Sequence, residues 1–362
     1  MKNRIALLTA ALFLSLTASI VSAQAPAAAP PAAPTAAPSA APPAAPTPPA
    51  DPLPPANPRF FTAATPTLET VNAFLHQVWG FDANRLYRVM AIQNTAAPGV
   101  AKVTVFVTDR SPNAKVNAAN FYVTPDGKHA IGEGSGVVPF GKTPFADNRD
   151  LLKARADGAF RGAPAKDLEL IEFADLQCPH CKEAQATMEQ IVKDFPKAHV
   201  VFQLFPLVDV HSSAFKAAAF GLCAQKQSND AFFQYAAGVF DTQEGLSPAT
   251  EDTLLKAAAK RAGLDADAIA ACAATQATRD AVNADIKLAE EVGVEQTPLL
   301  SVNGRLLPLT TNSTSPDDQA RFYNQLKQLI QFQATLDGVD SGATAETLAP
   351  LPQQPTLTNL PK

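Results

Sequence analysis

Two cysteines, Cys178 and Cys181, flank Pro179-His180 directly downstream of the run Leu168–Phe173 (LELIEF). No other feature constrains the fold as much. The run reads as a buried strand. Beyond it, Ala184, Met188, Ile191 and Val192 recur on one helical face, which predicts a helix from Cys178 to about Phe195. The cysteine pair then sits on the first turn of a helix that leaves a strand. Backbone N–H groups there lack partners and the helix dipole adds partial positive charge, so a thiolate at Cys178 is favoured. Pro179 suits a first turn, where its missing N–H costs nothing. His180 can add a positive charge or a hydrogen bond. A free cysteine titrates near about 8.5, and such motifs bring it to about 3.5–7. A shift of about five units is about 7 kcal/mol in favour of the thiolate, which stabilises the reduced pair and makes its disulfide oxidising.

Two neighbours extend this constellation. Glu172 lies six residues before Cys178 inside the strand. An unpaired buried charge is costly, so a carboxyl there reads as an acid of raised pKa that moves protons to and from Cys181. The alternative is a solvated, edge-facing glutamate. Thr297-Pro298 precedes a hairpin signal, Asn303-Gly304, between two short apolar runs, Leu299–Val302 and Arg305–Leu309.

The compartment is legible separately. Lys2 and Arg4, the apolar run Ile5–Val21 and the small residues Val21-Ser22-Ala23 have the form of a signal peptide, residues 1–23, cleaved after Ala23. An uncleaved N-terminal anchor is the alternative. Residues 24–58 are almost entirely Ala and Pro and read as an extended, disordered linker. The 362 residues carry a net charge of −5 and contain no Lys/Arg run, which sets a nucleic-acid partner aside. Four cysteines suit a protein exported to a disulfide-permissive compartment.

The remainder divides in two. In residues 60–140 one helix, Thr67–Trp79, precedes strand-like segments at 87–93, 101–108, 120–124 and 128–132, the last two joined by the turn Pro125-Asp126-Gly127. This is a small α+β domain, followed by a connector from Pro139 to Gly162 with a helix over Asp147–Ala156. Residues 165–337 form an α/β domain. It opens with the strand at 168–173 and continues with the cysteine helix, a strand at 199–207 and an almost purely helical stretch, about 211–290. The hairpin and a last helix, Pro316–Leu336, complete it. The tail, 338–362, is small and polar and reads as disordered.

The segment Glu172-Phe173-Ala174-Asp175-Leu176-Gln177-Cys178-Pro179-His180-Cys181, the long helical stretch and Gln296-Thr297-Pro298 before the hairpin resemble the DsbA-type proteins of the bacterial envelope. The resemblance covers about residues 165–336. It implies a thioredoxin fold with an inserted helical domain and a redox-active disulfide, Cys178–Cys181. Cys178 would be the attacking thiol, Cys181 the resolving thiol, Glu172 the buried acid and Pro298 a cis-proline facing the pair. It also implies exported proteins with thiols or disulfides as substrates, a membrane redox partner for recycling, a periplasmic location, and neither a cofactor nor a metal. Residues 60–140 more loosely resemble the cystatin-like N-terminal domain of the DsbC and DsbG isomerases, through Phe121–Lys128 (FYVTPDGK). Within the resemblance Thr297 is commoner among isomerases, and the first domain raises the expectation of a homodimer. The CPHC sequence favours an oxidase. A non-catalytic substrate-holding protein is the reading from another class, and it has no need of an attacking thiol.

Cys223 and Cys272 lie in two predicted helices with apolar surroundings and read as a structural disulfide. Two buried free thiols or a four-cysteine zinc site are the alternatives, although the spacings match no common zinc pattern. His211 reads as a helix-start or surface residue, with a place lining the site as the other reading.

Overall fold

The computed structural model describes residues 52–111, 113–132, 136–311 and 313–343. The expected signal peptide, the Ala/Pro stretch up to residue 51 and the tail from residue 344 lie outside them. The first domain contains helix α1 (Leu68–Trp79) and strands β1 (Arg85–Asn94), β2 (Ala101–Asp109), β3 (Asn117–Val123), β4 (His129–Gly132) and β5 (Gly136–Pro139). Thr67 caps α1, its hydroxyl accepting the Thr70 N–H at 3.1 Å. The strands pair antiparallel in sequence order, β1-β2-β3-β4-β5. Alternation sets the buried face: Ala101, Val103 and Val105 of β2 point to the core while Lys102 and Thr104 are half-buried. Val71, Phe74 and Leu75 of α1 close that core against Val89, Ile92, Phe121 and Phe140. Burying each such side chain contributes about 1.5–3 kcal/mol.

The second domain follows helix α2 (Ala146–Arg155). Its strands are β6 (Ala159–Gly162), β7 (Glu169–Ala174), β8 (His199–Leu204), β9 (Leu299–Val302) and β10 (Arg305–Pro308). They form one sheet in the order β10-β9-β7-β8-β6, with β7 and β8 parallel and the other pairs antiparallel. All six residues of β7 and all six of β8 are buried, as befits central strands covered on both faces. Helices α3 (Pro179–Asp194) and α9 (Pro316–Leu336) pack on one face through Ala184, Met188, Ile191, Leu326 and Ile330. Helices α2 and α8 (Gln276–Glu291) cover the other through Leu152, Leu288 and Ala289. Helices α4 (Ala214–Gln225), α5 (Asn229–Thr242), α6 (Glu251–Arg261) and α7 (Ala266–Ala273) form an added layer. Its core joins Phe220, Phe232, Tyr235 and Leu255 to Leu176, Phe202, Leu204, Cys178 and Cys181. This is a thioredoxin fold with a helical insertion.

Several boundaries differ from the sequence expectation. Two strands are added to the expected set, β5 at the end of the first domain and β6 inside the connector 139–162, so the second sheet begins at Ala159 and not near residue 165. Four-residue edge strands are too short to show alternation, and glycine marks β6 instead. A Cβ at Gly158 would lie 2.1 Å from the Phe202 carbonyl oxygen, and Gly162 has φ +81. The helical stretch also splits. Leu288 and Ala289 put the C-terminal part of α8 on the sheet, so that helix belongs partly to the thioredoxin unit. Order extends beyond both expected limits of the folded part. Leu53, within the expected linker, is buried, and its carbonyl accepts Arg88 Nη1 at 2.6 Å. Within the expected disordered tail, Ser341 is buried and its carbonyl accepts the Lys197 N–H at 3.3 Å. In both places a backbone carbonyl meets a donor that composition does not reveal.

Candidate active site

Strand β7 ends at Ala174, and the next four residues turn the chain into α3. Cys178 is the N-cap of that helix, in extended conformation (φ −77, ψ 123), with Pro179 at its first position. The Cys178 carbonyl accepts the Cys181 N–H at 3.1 Å and the Lys182 N–H at 3.3 Å. Both cysteines are free thiols and both are buried. The Thr297–Pro298 peptide is cis, and the Cys178 thiol faces the Thr297 carbonyl oxygen at 3.8 Å. Pairing of β9 with β7 places Leu299 beside Phe173, which brings residues 297–298 to the end of β7 where the cysteines lie.

Electrostatics separate the two sulfurs. The Cys178 pKa is lowered to about 5. The hydrogen bond from the Cys181 thiol is the largest cause. Burial opposes it, and the N–H of Cys181, the Thr297 hydroxyl and the N–H of His180 reinforce it. Burial raises Cys181 well above the ordinary thiol range, as does its bond to Cys178. The N–H of Asp175 and the Thr297 hydroxyl act in the opposite direction on Cys181. The Thr297 hydroxyl is buried without a hydrogen-bond partner among the described residues, so it is available to an ionised sulfur. One thiol is thus ready to ionise at neutral pH while its neighbour holds its proton.

Glu172 lies in the buried middle of the sheet, 1% exposed. Its Oε1 accepts Gln185 Nε2 at 2.7 Å, and its Oε2 has no partner among the described residues. Desolvation raises its pKa to about 7, against the opposing bond from Gln185. The His180 ring, 65% exposed, bonds Glu183 Oε2 at 2.9 Å, and that pairing raises the histidine's pKa. Its backbone N–H lowers Cys178, and the charge of that sulfur in turn helps to raise the histidine.

Sequence reasoning missed four supports of this site. Gln185, one turn after Cys181 on α3, donates to the Cys181 carbonyl at 2.9 Å as well as to Glu172. Gln177 accepts the Ser213 N–H at 2.8 Å, and Gln243 donates to the carbonyls of Leu176 and Cys178 at 3.2 Å each. These bonds fasten the insertion to the cysteine turn. Asp175 is buried and accepts the ring of His211 at 2.7 Å. A charged residue in a strand-to-helix junction that holds no other charge was the available signal for Asp175; nothing local announces Gln243. Away from the site, Cys223 and Cys272 are joined in a disulfide, with a Cα–Cα distance of 6.1 Å. Among the described residues no group of three or more His, Cys, Asp or Glu side chains is placed to hold a metal ion.

A thioredoxin-fold domain, with a helical insertion and an asymmetric cysteine pair opposite a cis-proline, occupies the chain from β6 onward. Consistently, residues 155–331 match the family model described as Thioredoxin. Among curated proteins, the Na(+)/H(+) antiporter NhaA 3 of Salinispora tropica is 30% identical over 175 residues, 48% of this chain and 24% of that protein. The antiporter NhaA 1 of Mycolicibacterium vanbaalenii is 29% identical over 164 residues, 44% of this chain and 24% of that one. The chain therefore spans about a quarter of the length of the curated relatives it matches. Similar solved structures include ScsC of Proteus mirabilis in a transitional conformation (21% identity, TM-score 0.42, covering 53% of this chain and 78% of that one). A thioredoxin-like oxidoreductase of Silicibacter pomeroyi is similar at 21% identity and TM-score 0.41, over 51% of this chain and 98% of that one. The α-DsbA1 of Wolbachia pipientis has the same identity and TM-score, over 52% of this chain and 98% of that one. Among the described residues no helix is long and apolar enough to cross a membrane.

Proposed function

We propose that this chain is a thiol–disulfide oxidoreductase of the bacterial cell envelope, exchanging disulfides with exported proteins through Cys178 and Cys181. The observation that carries the reading is the Cys178 thiol, lowered to about 5 at the N-terminus of α3 and 3.8 Å from the Thr297 carbonyl before cis-Pro298. In the oxidising direction a substrate thiolate attacks Cys178 Sγ. A Cys178–substrate bond forms, the Cys178–Cys181 bond breaks, and Cys181 leaves with the electron pair and takes up a proton. A second substrate thiolate then displaces Cys178 as a thiolate. The substrate loses two electrons and the cysteine pair gains them. A low pKa makes Cys178 a good leaving group, which favours net oxidation. A redox protein of the membrane would reoxidise the pair.

Glu172 would exchange the proton with Cys181, since an acid near 7 is poised to give and take one at neutral pH. Pro179 holds the first turn, His180 supplies its N–H, and Thr297 and Pro298 present backbone and hydroxyl to the reacting sulfur. Turnover of reduced, unfolded substrate in the presence of an oxidant, with Cys178→Ser as the control, tests the reading. Unaltered turnover by Cys178→Ser would sink it.

The second reading is an isomerase working as a homodimer. It is favoured by the first domain, whose edge strand β5 carries Val137 at 64% exposure beside Ile131 at 41%. Such an edge can pair with a second copy. Reshuffling of a scrambled substrate, lost together with dimerisation when residues 60–140 are removed, is its signature.

A further inference from the structure

Asp175 holds both cysteines through its backbone. Its N–H donates to Cys181 Sγ at 3.4 Å, and its carbonyl accepts the Cys178 N–H at 3.1 Å. Its side chain is anchored just as closely. Oδ1 accepts the Gln177 N–H at 2.7 Å, and Oδ2 accepts the Leu207 N–H at 2.9 Å and His211 Nδ1 at 2.7 Å. The carboxylate is fully buried, whereas the His211 side chain is 18% exposed. His211 itself is tied back by its N–H to the Leu207 carbonyl at 2.8 Å. The loop between β8 and α4 therefore wraps a single carboxylate, and that carboxylate fixes the peptide that touches the inner sulfur.

From this geometry we infer that His211 and Asp175 are a positioning pair for Cys181, aiming the Asp175 N–H at its sulfur while that sulfur carries negative charge. The inference rests on the exchange reading. In disulfide opening the electron pair of the broken S–S bond is left on Cys181 Sγ. In the reverse step a Cys181 thiolate attacks Cys178 Sγ of a mixed disulfide, re-forms the Cys178–Cys181 bond and releases the substrate thiolate. Disulfide opening ends with, and the reverse step begins from, a buried Cys181 sulfur that carries negative charge, and an aligned backbone donor is worth most at that moment. His211 touches no reacting atom; it acts by holding the Asp175 carboxylate. Without it Oδ2 keeps only the Leu207 N–H, a buried carboxylate loses its ring donor, and the turn from 175 to 178 is free to rotate the N–H away from sulfur.

The test uses the full chain. Reduced protein is mixed with oxidised glutathione, quenched with acid at intervals, and the Cys178–glutathione mixed disulfide is followed by mass. His211→Ala is expected to resolve it about tenfold more slowly than the wild type, the loss of roughly one charge-assisted hydrogen bond in the transition state. His211→Asn, whose Nδ2 can occupy the place of Nδ1, is expected to restore the rate. The Cys178 thiolate titration is expected to stay where it is in both variants. Resolution by His211→Ala at the wild-type rate overturns the inference. So does slow resolution accompanied by a displaced Cys178 titration, because the whole turn would then have loosened. If the wild-type protein forms no mixed disulfide at all, the exchange reading itself fails, and the inference with it.

Discussion

Gln185 donates to Glu172 Oε1 at 2.7 Å while the other carboxyl oxygen of Glu172 stays buried without a partner among the described residues. One neutral hydrogen bond does not offset full desolvation, so the acid is raised to about 7. Between about 4.5 and 7 the native protein keeps a proton that the unfolded chain has released. Stability from this group is therefore lost as pH rises through that window, and stays at its lower level above it. Glu172→Gln removes the effect. With the cysteines held oxidised, urea unfolding should find the variant gaining about 3 kcal/mol on the wild type between pH 4 and pH 8. An identical difference at both pH values would mean that Glu172 ionises normally.

For Cys178 the direction is opposite. Its lowered pKa means that the reduced native protein has released a proton which the unfolded thiol retains. Reduced-state stability from this group is fully present above about 8.5 and is lost as pH falls through about 5. Ultraviolet absorbance of the thiolate should titrate with a midpoint near 5. Thr297→Val should raise the midpoint by removing a hydroxyl that favours the charged sulfur. His180→Ala should leave it nearly unmoved, because the ring is turned to Glu183 and the backbone N–H remains. A midpoint that follows the histidine and ignores the threonine would reverse this assignment.

What was legible in the sequence followed local pattern. The strand Leu168–Phe173, the first-turn cysteines and the helical face of Ala184, Met188 and Ile191 are all within one window of residues, and the structure has them in β7 and α3. The Asn303-Gly304 hairpin is equally local, with both residues at positive φ. Partners separated by many residues were not legible. His211 meets Asp175 across 36 positions and Gln243 meets Cys178 across 65, and each is an ordinary polar residue in its own neighbourhood. Strands β5 and β6 escaped for a different reason. At four residues each, their state is set by the neighbouring strand they pair with rather than by their own alternation.

The Cys223–Cys272 disulfide ties α4 to α7 across a separation of 49 residues. In the chain-entropy account a loop of that size is worth about 4 kcal/mol. Cys223→Ala with Cys272→Ala should lower stability by about that amount, with the Cys178 titration unchanged. Reductant sufficient to open Cys178–Cys181 should leave this bond closed, as structural disulfides have the lower potentials. Urea unfolding checks the first statement, and differential alkylation with mass mapping checks the second. Labelling of Cys223 at the same reductant concentration as Cys178 would contradict the structural role.

Arg305 of β10 anchors the two domains to each other. Its Nη1 and Nη2 donate to the carbonyls of Gln77 and Val78 in the last turn of α1, at 2.8 Å each. The guanidinium lies 5.5 Å from the ring centre of Phe81 and 5.3 Å from that of Phe145. The residue is 6% exposed, and burial lowers its pKa to about 10, so it remains charged. Its negative counterpart is the C-terminus of a helix, where carbonyls without intrahelical partners carry partial negative charge. Arg305→Met keeps the apolar stem between the rings and deletes the donors. Two half-buried carbonyls then lose their partners, at a cost of about 2 kcal/mol. The loss should be local to the junction. Hydrogen exchange in the last turn of α1 should accelerate, while the amides of β7 and β8 keep their protection until global unfolding. Unchanged exchange in α1 would show that the apolar contacts around Phe81 and Phe145 alone hold the domains together.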